Sequence, residues 1–179
     1  MPGPVALTGT PGTGKTRVAR ALAPKVRCVE VSELALRCGA GRRLRSGVSV
    51  DLPKLRRALA RPAAWEAAQL VVGHLAHLLP VRDVIVLRCR PTELDRRLAR
   101  RGSSADRFEN FVAEATDVIL LEAVAAHRRI WEVDTSDRSV ASVAREVARR
   151  LRSRGPPSYG RVDWLADARV TAHLLDRPH

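Results

Sequence analysis

The residues Gly9-Thr10-Pro11-Gly12-Thr13-Gly14-Lys15-Thr16 fit the pattern G-x-x-x-x-G-K-[ST], a loop that cradles phosphate. Each fixed position has a chemical reason. The glycines let the backbone turn where a side chain would clash, so that successive N–H groups point at a phosphate. Lys15 adds a mobile positive charge for β- and γ-phosphate oxygens. Thr16 offers a hydroxyl to Mg²⁺. A helix opening near Gly14 brings the positive end of its dipole to the same point. The motif predicts nucleotide binding, but by itself it does not say what becomes of the nucleotide.

The flanking segments are those such a loop needs. Residues 4–8 before it are short and apolar, as a buried first strand should be. Residues 16–23 after it read as a helix with Val18, Ala19 and Leu22 on one face. Residues 26–31 alternate like a second strand, and Ser32 is placed to cap a short helix over residues 33–37. Residues 39–47, with three glycines and three arginines, read as a mobile loop. Asp51 should cap a helix with Pro53 in its first turn and Leu52, Leu55 and Leu59 inward. Apolar runs over 69–74 and 83–89 and the segment 129–134 complete the strands. Helices are expected over 91–101 and 139–151. One long helix is expected through Phe108, Phe111, Val112, Ala115 and Ile119. Residues 152–160 read as a linker and 162–175 as a tail with helical character. Alternation of this kind predicts an α/β, doubly wound, five-stranded parallel sheet with helices on both faces, and the phosphate site at the carboxyl end of the first strand.

Composition narrows the classes. The chain has 179 residues, enough for one domain, and 45% of them are hydrophobic. Aromatics make up only 3%, so the core must be Leu, Val and Ala. No run of about 18 apolar residues occurs, which predicts no membrane span. The first residues lack the basic and apolar regions of a signal peptide, so a cytoplasmic location is expected. Cys28, Cys38 and Cys89 are well separated and read as idle thiols rather than a metal site. The net charge is +13, carried by 29 arginines and three lysines. Such an excess suits a polyanionic partner such as nucleic acid. A compositional bias towards Arg and Ala gives the same charge with no partner, and no RNA-binding motif or stacking surface is visible. Trp65, Trp131 and Trp164 are too scattered for one and read as packing.

Several stretches together resemble a known family. They are the loop from Thr8 to Thr16, Gly73-His74-Leu75-Ala76-His77-Leu78-Leu79-Pro80, Val86-Leu87-Arg88-Cys89-Arg90-Pro91, Leu98-Ala99-Arg100-Arg101-Gly102, Glu132-Val133-Asp134-Thr135-Ser136 and Val162-Asp163-Trp164-Leu165. They resemble the adenylate kinase isoenzyme 6 family over almost the whole chain. The resemblance implies a P-loop NTPase fold of the nucleoside monophosphate kinase type. It implies a core over 1–152, mobile segments at about 31–54 for the monophosphate and about 101–111 for a lid, and a linker and tail over 153–179. It implies transfer of the ATP γ-phosphate to AMP with some ATPase activity, Mg²⁺ as cofactor, and a part in small ribosomal subunit maturation through a ribosomal protein and pre-ribosomal RNA. By position it implies ATP binding by Gly12, Thr13, Gly14, Lys15, Thr16 and Arg17, a lid arginine at Arg101, and Arg138 beside the adenine. Thr16 is the expected metal ligand.

One departure matters. The family carries an acid two residues before the histidine of its third strand, and here that position is Val72. Mg²⁺ then rests on Thr16, phosphates, water and a carboxylate from elsewhere, such as Asp51; Glu66 and Asp83 lie nearby only in sequence.

The remaining roles compete with plainer readings. Lys15 and Arg101 are the expected catalytic cations; arginines at a helix end are also favourable without catalysis. Arg107 reads as such a helix-end residue. Arg37 and Asp51 are candidates for the AMP subsite. His74 is a candidate for orienting water or substrate, whereas His77 reads as structural. Three functions stay open: an adenylate kinase, an ATP-driven assembly factor for a ribonucleoprotein, and a nucleotide-gated binding module with little turnover.

Overall fold

Short, β-branched, uninterrupted apolar runs give strands that can be covered on both faces, and the fold is built on these. The computed structural model describes residues 3–45, 47–99, 103–153 and 155–176. In chain order the elements are β1 (Val5–Thr8), α1 (Lys15–Leu22), β2 (Cys28–Glu30), α2 (Val31–Arg37), β3 (Gly41–Leu44), β4 (Gly47–Val50), α3 (Leu52–Leu59), β5 (Leu70–Val72), β6 (Asp83–Arg88), α4 (Pro91–Leu98), α5 (Ser104–Ala115), α6 (Val118–Ala126), β7 (Ile130–Asp134), α7 (Val140–Arg152) and α8 (Ala168–Leu175). Short 3₁₀ turns at Pro62–Trp65 and Ala76–Leu78 flank β5.

The main sheet has five strands in the order β2-β5-β1-β6-β7, with every pairing parallel. Alternate residues of each strand serve opposite faces. On one face Val5, Leu7, Leu70, Val72, Ile85 and Leu87 meet Val18 and Leu22 of α1 and Val143 and Val147 of α7. On the other, Ala6, Val71, Val84 and Val86 meet Leu34 of α2, Leu55 and Leu59 of α3, and Leu120 and Ala123 of α6. This is the doubly wound α/β fold that the sequence pattern predicts. The core is aliphatic, as the low aromatic content requires. The tryptophans pack, with Trp65, Trp131 and Trp164 all buried.

Three local expectations are corrected. Residues 39–47 do not form a plain loop: β3 and β4 pair as an antiparallel hairpin. Gly41 sits too close to Ala35 and Leu36 for a Cβ, which holds the hairpin against α2. Ser32 is not an N-cap. The helix α2 starts at Val31 with Glu30 as its cap residue, because Val31 is buried where β2 ends and its side chain fills the space against Gly73. The long helix is two helices. Asp117, at φ +60°, breaks it between α5 and α6. Phe111 of α5 is buried with Ala115, Trp164 and Val170. The C-terminal segment is thereby packed onto α5. Ser158 of the linker pairs with Trp131 at the edge of β7.

The break at Asp117 has an electrostatic cause. Arg88, at the carboxyl end of β6, is only 2% exposed and meets three carboxylates. Its Nε donates to Glu114 Oε1 at 2.8 Å and its Nη1 to Glu132 Oε1 at 2.7 Å; Nη2 donates to the Glu114 carbonyl at 3.1 Å and to Asp117. Removing one partner from a buried charged cluster leaves the others uncompensated, at a cost of about 3–5 kcal/mol. Arg88→Ala should therefore lower the thermal midpoint by roughly 10 °C for a domain of this size. Differential scanning calorimetry reads this directly. A midpoint unchanged within a degree would mean that Arg88 does not hold the cluster together.

Candidate functional site

The phosphate loop leaves the carboxyl end of β1 and enters α1 at Lys15. Its shape depends on glycine at two places. A Cβ on Gly9 would lie 2.3 Å from the Leu87 carbonyl oxygen. Gly12 has φ +96°, and a Cβ there would meet Leu94 at 2.8 Å. Thr13 tightens the turn by donating its hydroxyl to the Thr10 carbonyl at 2.9 Å.

The ammonium of Lys15 lies across this loop, donating to the carbonyls of Gly9 at 2.7 Å and Thr10 at 2.9 Å. Burial lowers its pKa to about 8, while Glu114 and Glu30 pull the other way. Thr16 stands at the start of α1 and donates to Glu30 Oε1 at 3.1 Å. Burial raises the Glu30 carboxyl above its ordinary value; the Thr16 hydrogen bond and the charge of Lys15 oppose that rise.

Beside the loop opens a cavity of about 570 Å³. It is lined by Gly12, Gly14, Lys15, Thr16 and Arg17 from the loop side, and by Arg97 and Arg138 from the other. The loop residues and Arg138 are thus brought together around one cavity. Arg138 is held by the Asp134 carbonyl at 2.8 Å and by Glu146 at 2.9 Å. Arg97 was not anticipated. It bonds the Thr135 hydroxyl and carbonyl at 3.2 and 3.0 Å and pairs with Glu93 one turn before it on α4. In sequence it reads as an ordinary i, i+4 surface pair. A larger cavity, about 1040 Å³, lies among Val5, Val26, Gln69 and Arg82 at the amino ends of the strands. That end of a parallel sheet is opposite to where ligands bind in this fold class.

Other predicted residues are placed differently. His74 follows β5; partial desolvation, then Lys15 and His77, hold its imidazole below the ordinary value. It is kept neutral beside the loop cation. His77 is buried and structural, with Nδ1 2.9 Å from the Thr8 hydroxyl and Nε2 2.9 Å from Glu122. Arg107 is also structural, donating twice to Asp95 of α4 at 2.9 and 3.0 Å. Arg37 ends α2 paired with Glu66 at 2.9 Å and Glu33 at 3.7 Å. Asp51 caps α3, accepting from the Lys54 N–H at 2.9 Å, and its side chain serves that helix. Arg101, with Arg100 and Gly102, lies outside the described residues. The described residues contain no group of three or more His, Cys, Asp or Glu able to hold a metal ion. None of their helices is long and apolar enough to cross a membrane.

Sequence reasoning also missed Glu114. It is 2% exposed and reaches the loop from behind, accepting from the Thr10 hydroxyl at 2.5 Å, the Cys89 N–H at 3.0 Å and Trp164 Nε1 at 3.3 Å. It lies between Phe111 and Ala115 on α5, where a helical wheel over a single long helix gives no sign of a buried acid.

The lowered pKa of Lys15 makes a pH prediction. The protonated amine binds phosphate, so nucleotide affinity should be constant below about pH 8. Above it, affinity should fall by up to about tenfold per pH unit, because binding must first restore the proton. Calorimetric titration of ADP from pH 7 to 9.5 checks this. Lys15→Arg, which stays charged, should flatten the profile; an equally steep fall in that variant would remove Lys15 as its cause.

A family model described as "AAA domain" matches residues 5–117. Proteins named "Putative adenylate kinase" are similar along most of the chain. The one from Pyrococcus furiosus is 39% identical, covering 89% of this chain and 90% of its own. That from Thermococcus onnurineus is 37% identical, covering 96% and 97%. That from Natronomonas pharaonis is 40% identical, covering 89% and 96%. Among solved structures, a shikimate kinase from Bacteroides thetaiotaomicron superposes with a TM-score of 0.52 at 20% identity, over 83% of this chain and 98% of that one; this likeness bears on the fold alone. With archaeal relatives so similar over nearly their full length, the chain belongs to the family of those proteins named "Putative adenylate kinase", the archaeal form of the adenylate kinase isoenzyme 6 family.

Proposed function

We propose that the chain is a nucleotide kinase that transfers the γ-phosphate of ATP to AMP, hydrolyses some ATP without an acceptor, and acts in maturation of the small ribosomal subunit. The observation that carries the kinase reading is the phosphate loop facing a cavity whose far wall supplies Arg97 and Arg138. Phosphoryl transfer asks a protein mainly for positioning and for positive charge around the moving group. Lys15 follows the β- and γ-oxygens, the loop N–H groups hold the phosphates, and Arg97 and Arg138 neutralise charge from the opposite side. Glu114 and Arg88 keep the loop from spreading. His74, neutral beside Lys15, orients the acceptor or a water without adding a competing charge. The hydroxyl of Thr16 is a hard oxygen donor that would hold Mg²⁺, whose charge would offset that of the phosphates. Arg101 remains the proposed lid arginine, and Arg37 and Asp51 the proposed acceptor-side residues. The proposed units are a core over 1–152 and a linker and tail over 153–179.

The ribosomal part of the proposal rests on charge. Arg42, Arg43 and Arg45 at the hairpin, and Arg56, Arg57 and Arg61 at α3, are all exposed on neighbouring elements. They add to the chain's basic excess, which suits an RNA backbone.

ATP consumption measured with each nucleoside monophosphate tests the kinase reading. AMP should raise the rate at least about tenfold over water alone, and Lys15→Ala should lower it about a hundredfold or more, as loss of a transition-state contact does. A rate indifferent to every monophosphate would leave an ATPase that drives assembly. No turnover at saturating Mg-ATP would leave a binding module.

Affinity for a small-subunit ribosomal RNA fragment, measured from low to physiological salt with and without ATP, tests the RNA reading. Binding should fall steeply with salt and show little sequence preference. Absence of binding in all conditions would leave the arginines as composition alone.

A further inference from the structure

Val72, at the position where the resemblance implies an acid, is the last residue of β5. Val72 is buried in the apolar layer under α1, among Leu7, Val18 and Leu22, and offers no carboxylate. The neighbouring strand ends level with it. β2 pairs with β5 in parallel, and the Cα partner of Val72 is Glu30. Residues in register share a face of the sheet, about 4.8 Å apart. Glu30 therefore points to the same side as Val72, one strand over.

Glu30 is also the cap residue of α2, where acids usually turn back to the free N–H groups of their own helix. It makes no such bond. Its carboxylate reaches instead across to α1 and accepts from the hydroxyl of Thr16 at 3.1 Å. The alternative from sequence, Asp51, is committed to the N-terminus of α3. Glu33 is exposed on the outer side of α2 and pairs with Arg37.

We propose that Glu30 supplies the carboxylate of the Mg²⁺ site in place of the missing acid at Val72, accepting from metal-bound water beside Thr16. The two oxygens are hard donors of the kind Mg²⁺ prefers, and a single carboxylate leaves room for the waters it retains. The role rests on the nucleotide-kinase reading but concerns metal coupling alone, so it is separable from acceptor choice. Glu30 positions the metal and does not touch the phosphoryl group.

The test uses ADP and Mg²⁺ with the full-length protein. ADP affinity is measured by calorimetry with excess chelator and again across a Mg²⁺ titration, for the wild type, Glu30→Gln and Glu33→Gln. Glu30→Gln should leave metal-free ADP binding unchanged or slightly tighter, and weaken the apparent Mg²⁺ affinity of the ADP complex about tenfold, as loss of an outer-sphere ligand does. Glu33→Gln should change neither. Unaltered metal affinity in Glu30→Gln, equal losses in both variants, or loss of ADP binding with and without metal would each overturn the assignment. A measurement on the unmutated chain stands beside it. With Mn²⁺ and ADP, the backbone N–H signals of Thr16 and Glu30 should broaden first in the NMR spectrum; earlier broadening at Asp51 would overturn it too. Failure of the wild type to bind ADP under any condition would instead refute the kinase reading.

Discussion

The buried pair of Arg88 and Glu114 is the interaction on which the rest of the site depends. Neither side chain is more than 2% exposed, so the Glu114 charge rests on Arg88, and the Arg88 charge on Glu114 with Glu132 and Asp117. Every remaining hydrogen bond of the pair ties down a different element. Arg88 reaches β7 through Glu132 and the α5–α6 junction through Asp117. Glu114 reaches the phosphate loop through Thr10, the start of α4 through the Cys89 N–H, and the C-terminal segment through Trp164. A loop rich in glycine has the most conformational freedom to lose, and it loses that freedom here to a carboxylate beneath it. The loop is thereby set before a phosphate arrives, and nucleotide binding need not supply the ordering free energy.

The same arrangement sets the electrostatics. Two carboxylate neighbours, the buried Glu114 and the half-buried Glu30, keep a desolvated Lys15 from losing its proton below about pH 8. The cavity is lined by the cations of Arg17, Arg97 and Arg138. The negative charges are held back in ion pairs such as Glu93 with Arg97 and Glu146 with Arg138. A polyanion entering the cavity meets cations already oriented by their own partners, which is the preorganisation that phosphoryl transfer relies on.

Much of this was legible in sequence where one local rule dominates. The phosphate loop is a fixed spacing, and the apolar runs at 83–88 and 70–72 are long or flanked clearly enough to read as central strands. Asp51 caps its helix as its residue type predicts. What failed was set by contacts distant along the chain. The hairpin at β3 and β4 comes from Gly41 packing on α2, which no turn rule reveals. The α5–α6 break follows from Arg88, far away in sequence, drawing in Asp117. Arg97 and Glu30 look like surface residues until the topology places α4 beside the loop and β2 level with β5. Strand order is the missing information. Once β2 is known to neighbour β5, an acid at the end of β2 becomes the obvious counterpart to Val72.

Following the γ-phosphate itself is the most direct test of a preorganised transfer site. With γ-³²P-labelled ATP and unlabelled AMP under single-turnover conditions, the label should appear first in ADP formed from AMP, with inorganic phosphate a minor product. Label released only as inorganic phosphate, at a rate unaffected by AMP, would contradict a site built to hand phosphate from one nucleotide to another.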